Sequence, residues 1–143
     1  MSELIEVKTS ELTGHALDWA VAKAIGFECG RLQGKNGTFG CNAPRGVQYV
    51  IGILRVSSLA EELNARFWRP TTDWAQCGPL IEKHNLALPY KSISRFHMGK
   101  FESCTPARLP FNGETPLIAA CRAIVAAELG DSVMVPTELV VVK

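Results

Sequence analysis

Thr115-Pro116-Leu117-Ile118-Ala119-Ala120-Cys121-Arg122-Ala123-Ile124-Val125-Ala126-Ala127-Glu128-Leu129-Gly130 reads as one helix with both ends marked. Thr115 offers a capping hydroxyl, Pro116 fits the first helical position, and Gly130 stops the helix. At 3.6 residues per turn, Leu117, Ile118, Cys121, Ile124, Val125 and Leu129 form a wide apolar face. The opposite side is Ala119, Ala123, Ala126 and Ala127, which leaves no charged, solvated face. A helix apolar all round is packed on more than one side.

Val47 to Val56 is the clearest strand. Tyr49, Ile51 and Ile53 alternate with Val50, Leu54 and Val56, so both faces are apolar and the strand is expected to be central. Gly52 inside it marks a bulge or a close backbone approach. Ile5-Glu6-Val7 is a short strand, and Val133–Val135 and Leu139–Val142 are two more, broken by Pro136. An apolar Leu-Val-Val-Val must be paired into a sheet or buried by a partner. A second helix runs from a Thr13 cap to Ala24 or Ile25 and stops at Gly26. Ala16, Leu17, Ala20, Val21, Ala24 and Ile25 make its core face, and His15, Asp18, Trp19, Ala22 and Lys23 its other face.

The connections are less regular. Gly26 to Gly46 holds six glycines and three basic residues, and reads as a mobile loop or an irregular hairpin around Asn36-Gly37. Gly34-Lys35-Asn36 lacks the spacing of a phosphate loop. Ser58–Asn64 suits one or two helical turns. Pro79–Asn85 suits a short helix with Pro79 in its first turn. Leu86–Leu88 and Ser92–Met98 are weak strands, and Gly99–Glu114 reads as a long loop. The expected fold class is α+β, with two main helices packed on a small, mostly antiparallel sheet that includes Val47–Val56 and the C-terminal strands. Residues 1–143 are read as a single compact domain. The apolar tail and the all-round apolar helix argue for a homodimer.

Composition narrows the functional classes. With 47% apolar and 20% charged residues the chain is globular. A net charge of +1, from 15 basic and 14 acidic side chains, gives no nucleic-acid signature. No basic flank and apolar run open the chain, and its longest apolar stretch, Leu117 to Val125, is too short to span a bilayer. No membrane association is expected, and the protein is placed in the cytoplasm. The five cysteines (Cys29, Cys41, Cys77, Cys104 and Cys121) and three histidines (His15, His84 and His97) show no close pair with metal-ligand spacing. The cysteines read as reduced, small hydrophobes, with no metal and no cofactor implied. No nucleophile elbow or paired catalytic carboxylates occur.

Three features break the packing pattern. Trp19 lies off the apolar stripe beside Asp18, so it is either a second packing surface or a platform on which a planar ligand stacks. Asp73 and Trp74 repeat that pair in a connection with Thr71 and Thr72, where either Thr72 or Asp73 caps a helix or the group meets a ligand. Arg122 borders a buried face, where an unpaired charge is costly. It is expected to meet Asp18, Asp73 or Asp131, or a bound anion.

Val7-Lys8-Thr9-Ser10-Glu11-Leu12, Leu17-Asp18-Trp19-Ala20-Val21-Ala22, Thr72-Asp73-Trp74-Ala75-Gln76-Cys77-Gly78-Pro79 and Thr115-Pro116-Leu117-Ile118-Ala119-Ala120 recur in this order along nearly the whole chain. Together they resemble the NinX-like proteins of bacteriophages and prophages, with Cys77 departing from an expected glycine. The resemblance implies a small phage or prophage accessory protein in a bacterial host and supplies no catalytic residues. Two functional readings follow. One is a non-enzymatic protein binding a small, nucleotide-like ligand through Asp18, Trp19, Thr72, Asp73, Trp74 and Arg122. The alternative is a protein–protein interaction module that modulates a host or phage protein, with tryptophans as anchors. A small enzyme ranks third.

Overall fold

The computed structural model describes residues 4–31, 38–42, 48–52, 66–84, 86, 90–91, 101–104 and 110–140. Within them lie three α-helices: α1 (Gly14–Ala24), α2 (Trp74–Lys83) and α3 (Pro116–Leu129). The strands are β1 (Leu4–Lys8), β2 (Glu28–Arg31), β3 (Thr38–Asn42), β4 (Gln48–Gly52), β5 (Arg66–Phe67), β6 (Tyr90–Lys91), β7 (Phe101–Cys104), β8 (Pro110–Gly113) and β9 (Ser132–Pro136). The architecture is α+β.

Both ends of α3, and the C-terminal end of α1, fall where their local chemistry dictates. The Thr115 hydroxyl accepts from Ile118 N at 3.2 Å, Pro116 opens α3, and Gly130 follows its last turn with a φ of 95°. Thr13 is the N-cap residue of α1 without a side-chain bond, and Gly26 follows with a φ of 95°. That left-handed backbone suits glycine because it has no Cβ to clash.

The sheet structure departs from the single small sheet expected. The strands divide into a two-stranded ribbon β1–β9, a four-stranded sheet in the order β2–β3–β4–β5, and a three-stranded sheet β6–β7–β8. Among the described strand pairs β4–β5 alone is parallel. β4 is internal to its sheet as its two apolar faces require, but it shares no sheet with β9. The supposed loop Gly99–Glu114 carries the antiparallel pair β7–β8. The Gly26–Gly46 segment does contain an antiparallel pair, β2–β3, with Cys29 opposite Cys41. Asn36-Gly37, around which the hairpin was expected, lies outside the described residues. The α2 helix starts at Trp74, so Pro79 lies inside it. Residues 139–142 do not form the expected strand throughout: Thr137–Leu139 is a 3₁₀ turn, and 141–143 lie outside the described residues. The helical turns at 58–64 and the strand at 92–98 also lie outside them, as does the span 53–56.

One apolar cluster joins all three helices to the ribbon β1–β9 and to the sheet β2–β3–β4–β5. α3 supplies Leu117, Ala120, Cys121, Ala123, Ile124 and Val125, and packs on α1, α2, β7, β8 and β9. Ala119 and Ala123 on its alanine side are buried along with Leu117, Ile124 and Val125, whereas Ala127 and Leu129 in its last turn are exposed. α1 adds Leu17, Ala20 and Val21, and β9 adds Val133 and Val135. Leu139 is buried in the same cluster. Each fully buried Leu, Ile or Val stabilises the fold by roughly 1.5–3 kcal/mol relative to exposure.

Candidate functional site

The α1 face opposite the apolar stripe is itself buried, apart from Lys23 and the half-buried His15. Asp18 is 2% exposed and Trp19 5%. Trp19 therefore serves as a second packing surface, with the Lys23 ammonium 5.3 Å from its ring centre.

Asp18 is the node that joins α1 to the connection before α2. Its Oδ1 accepts the Thr71 backbone N–H at 3.0 Å, and its backbone carbonyl accepts the Trp68 indole N–H at 2.9 Å. The Thr71 hydroxyl also bonds the carboxylate. Burial pushes the carboxyl up to about 7, against the Thr71 bonds and the Arg69 charge, which favour ionisation. His15 Nδ1 lies 3.9 Å from Asp18 Oδ2, and burial lowers the histidine's pKa.

Trp68 is 4% exposed and packs at steep angles against Phe27 and Tyr49, each ring centre 5.0 Å from its own. The residues after it are tied by short bonds. Arg69 N donates to Gln76 Oε1 at 2.7 Å, and Thr72 N donates to the Arg69 carbonyl at 3.0 Å. The Thr72 hydroxyl is 3.4 Å from that carbonyl. Asp73 caps α2, its Oδ1 accepting from Ala75 N at 2.9 Å. At the end of this fixed connection Trp74 is 54% exposed.

Arg122 is half-buried on α3 and meets main-chain oxygens rather than the expected carboxylates. Its Nε donates to the Leu12 carbonyl at 3.0 Å and its Nη1 to the Asn112 carbonyl at 2.6 Å. Asp18 and Asp73 are engaged with Thr71 and Ala75. Burial lowers the guanidinium pKa, and the nearby Glu114 charge opposes that. Arg122 ties the turn before α1 and the end of β8 to α3.

The six sequence candidates thus divide. Asp18 and Trp19 are buried, Arg122 holds backbone, and Thr72, Asp73 and Trp74 line up at the α2 N-terminus. Trp68 and Thr71, which anchor that connection, are not among the six candidates: the stretch Trp68–Trp74 reads in sequence as a polar, aromatic connection. Trp68 carried a signal in its size, since a tryptophan in a linker needs somewhere to bury its ring.

The family model described as Bacteriophage P22, NinX matches residues 8–128. The chain belongs to the NinX family. The matched span runs from the end of β1 into the last turn of α3 and takes in all six candidate residues. No curated protein matches the chain. Among the described residues of this NinX-family protein, no helix is long and apolar enough to cross a membrane.

Proposed function

We propose that this NinX-family protein is a non-enzymatic phage accessory protein that binds a host or phage protein through the start of α2, with Trp74 as the anchor. The supporting observation is the contrast among the three tryptophans. Trp19 and Trp68 are buried at 5% and 4% exposure, whereas Trp74 stands 54% exposed on a connection pinned by Asp18. An exposed indole on a pre-ordered backbone gains contact area with little ordering cost, which is the profile of an interface anchor.

The test places a photocrosslinking amino acid at position 74 in protein expressed in the bacterial host, with a control probe at Met134, 48% exposed on β9. A discrete adduct from position 74, absent from the control, is the expected result. An adduct of two chains identifies a homodimer as the partner. No adduct, or the same adducts from both positions, overturns the proposal.

A second reading is favoured by the adjacency of Thr72, Asp73 and Trp74, which offer a hydroxyl, a carboxylate and a ring face to a nucleotide-like ligand. A thermal-shift panel of nucleotides separates the two. A ligand at a hundredfold its Kd adds about 2.7 kcal/mol of stability. A shift lost in Trp74→Ala makes the site a small-molecule site.

A further inference from the structure

Cys29 and Cys41 face each other across β2 and β3, with their sulfurs 3.5 Å apart. Directly opposed residues in an antiparallel pair bring their Cα atoms to about 4.5–5.5 Å, within the range a disulfide spans. The two sulfurs are unequal. Cys29 is half-buried and Cys41 is fully buried. The Cys29 thiol donates to the Cys41 sulfur. The Cys29–Cys41 hydrogen bond and the Lys23 charge hold the Cys29 pKa down, against burial, which raises it. Cys41 is pushed the other way by that same bond and by burial, so it stays a thiol. One member of the pair is therefore disposed to be the nucleophile, and the other to resolve the product.

A second sulfur pair supplies an internal comparison. Cys77 on α2 and Cys121 on α3 lie 3.9 Å apart, and both are 0% exposed inside the core. Proximity is similar there, but access is not. Reaction with a solute requires a sulfur that the solute can reach.

We propose that Cys29 and Cys41 form a thiol-oxidation site for small hydroperoxides, in which Cys29 is attacked first and Cys41 closes the disulfide. In the first step the Cys29 thiolate sulfur bonds the terminal oxygen of hydrogen peroxide and the O–O bond breaks. The departing hydroxide takes a proton and leaves as water, and Cys29 becomes a sulfenic acid. In the second step the Cys41 sulfur bonds the Cys29 sulfur and displaces its hydroxyl, which leaves as water with the Cys41 proton. Two thiols lose two electrons, one peroxide gains them, and two waters form. Closing the gap takes side-chain rotation between strands already paired. The product ties β2 to β3 beside Tyr49, which lies opposite Cys41 on β4.

The experiment treats the folded, reduced protein with hydrogen peroxide at neutral pH and maps peptides without reductant. The expected result is a Cys29–Cys41 cross-link, a mass loss of two hydrogens reversed by dithiothreitol, and no Cys77–Cys121 link. In Cys41→Ser, dimedone is expected to label position 29. The wild-type map stands without the variant if that variant does not fold. Failure to form the Cys29–Cys41 link in protein that stays folded, or its appearance only in denaturant, overturns the proposal, as does prior formation of the buried Cys77–Cys121 link.

Discussion

At Asp18 a buried carboxyl exchanges its proton with solvent on a scale set by the fold. Its pKa rises from 3.8 to about 7 on burial. The folded chain therefore holds a proton that the unfolded chain releases across that window. Stability from this group is fully present below the lower value and declines as pH rises through the window. The whole span is on the order of 4 kcal/mol. His15 acts with the opposite sign, because burial lowers its pKa and the folded chain disfavours its proton. Asp18→Asn keeps an acceptor for the Thr71 N–H and removes the titration. Urea midpoints measured across that window are expected to fall less steeply with pH in Asp18→Asn than in the wild type. Equal slopes would place the linked proton elsewhere. Asp18→Ala, which leaves the buried Thr71 N–H unpaired, is expected to cost a further ~1–3 kcal/mol. That Asp18 is unusual was legible, since a carboxylate beside a tryptophan breaks the helix pattern. Its partner was not, because Thr71 lies 53 residues away and bonds through its backbone.

Elements were legible in proportion to how local their signals are. The ends of α3 follow from Thr115, Pro116 and Gly130, whose capping and conformational preferences act within a turn. Strand partners follow from distant residues, so the split into three sheets left no comparable mark. The pair β7–β8 shows why. Its sequence is rich in proline and glycine, and Gly113 is required by the helix that follows. A Cβ at Gly113 would sit 2.6 Å from Ala119 N and 2.7 Å from Ile118 Cγ2. Gly113→Ala is expected to lower stability by roughly 1–3 kcal/mol through overpacking. Gly78, inside α2, has open space at its Cβ position. Gly78→Ala should raise stability by up to about 1 kcal/mol from helix propensity. Thermal denaturation of the two variants checks both signs, and a matching loss in each would contradict the packing difference.

For the molecule as a whole, one core collects side chains from every helix and leaves one tryptophan outside it. Iodide should quench only a fraction of the native emission, and that fraction should vanish in Trp74→Phe. Quenching that survives the substitution would mean that Trp19 or Trp68 is open to solvent. Trp68→Ala removes a buried ring and is expected to cost about 3–5 kcal/mol, whereas Trp74→Ala should leave the melting temperature nearly unchanged. Sequence patterning singled out Trp74 together with Trp19, because both follow an aspartate, and did not separate the exposed ring from the buried one. Helix periodicity gives the direction of a side chain and not what lies opposite it, and of the two readings left open for Trp19 the buried one, a second packing surface, fits its 5% exposure.

The ribbon β1–β9 also sets a timetable for synthesis. Glu6 on the first strand receives the Ser132 hydroxyl from 126 residues further along. A ribosome adding about 5–20 residues each second leaves Ile5 and Val7 without their pairing strand for roughly 6–25 s, taking that separation as the delay. During that interval the newborn chain offers an open strand edge to chaperones, and to neighbouring copies emerging from the same message.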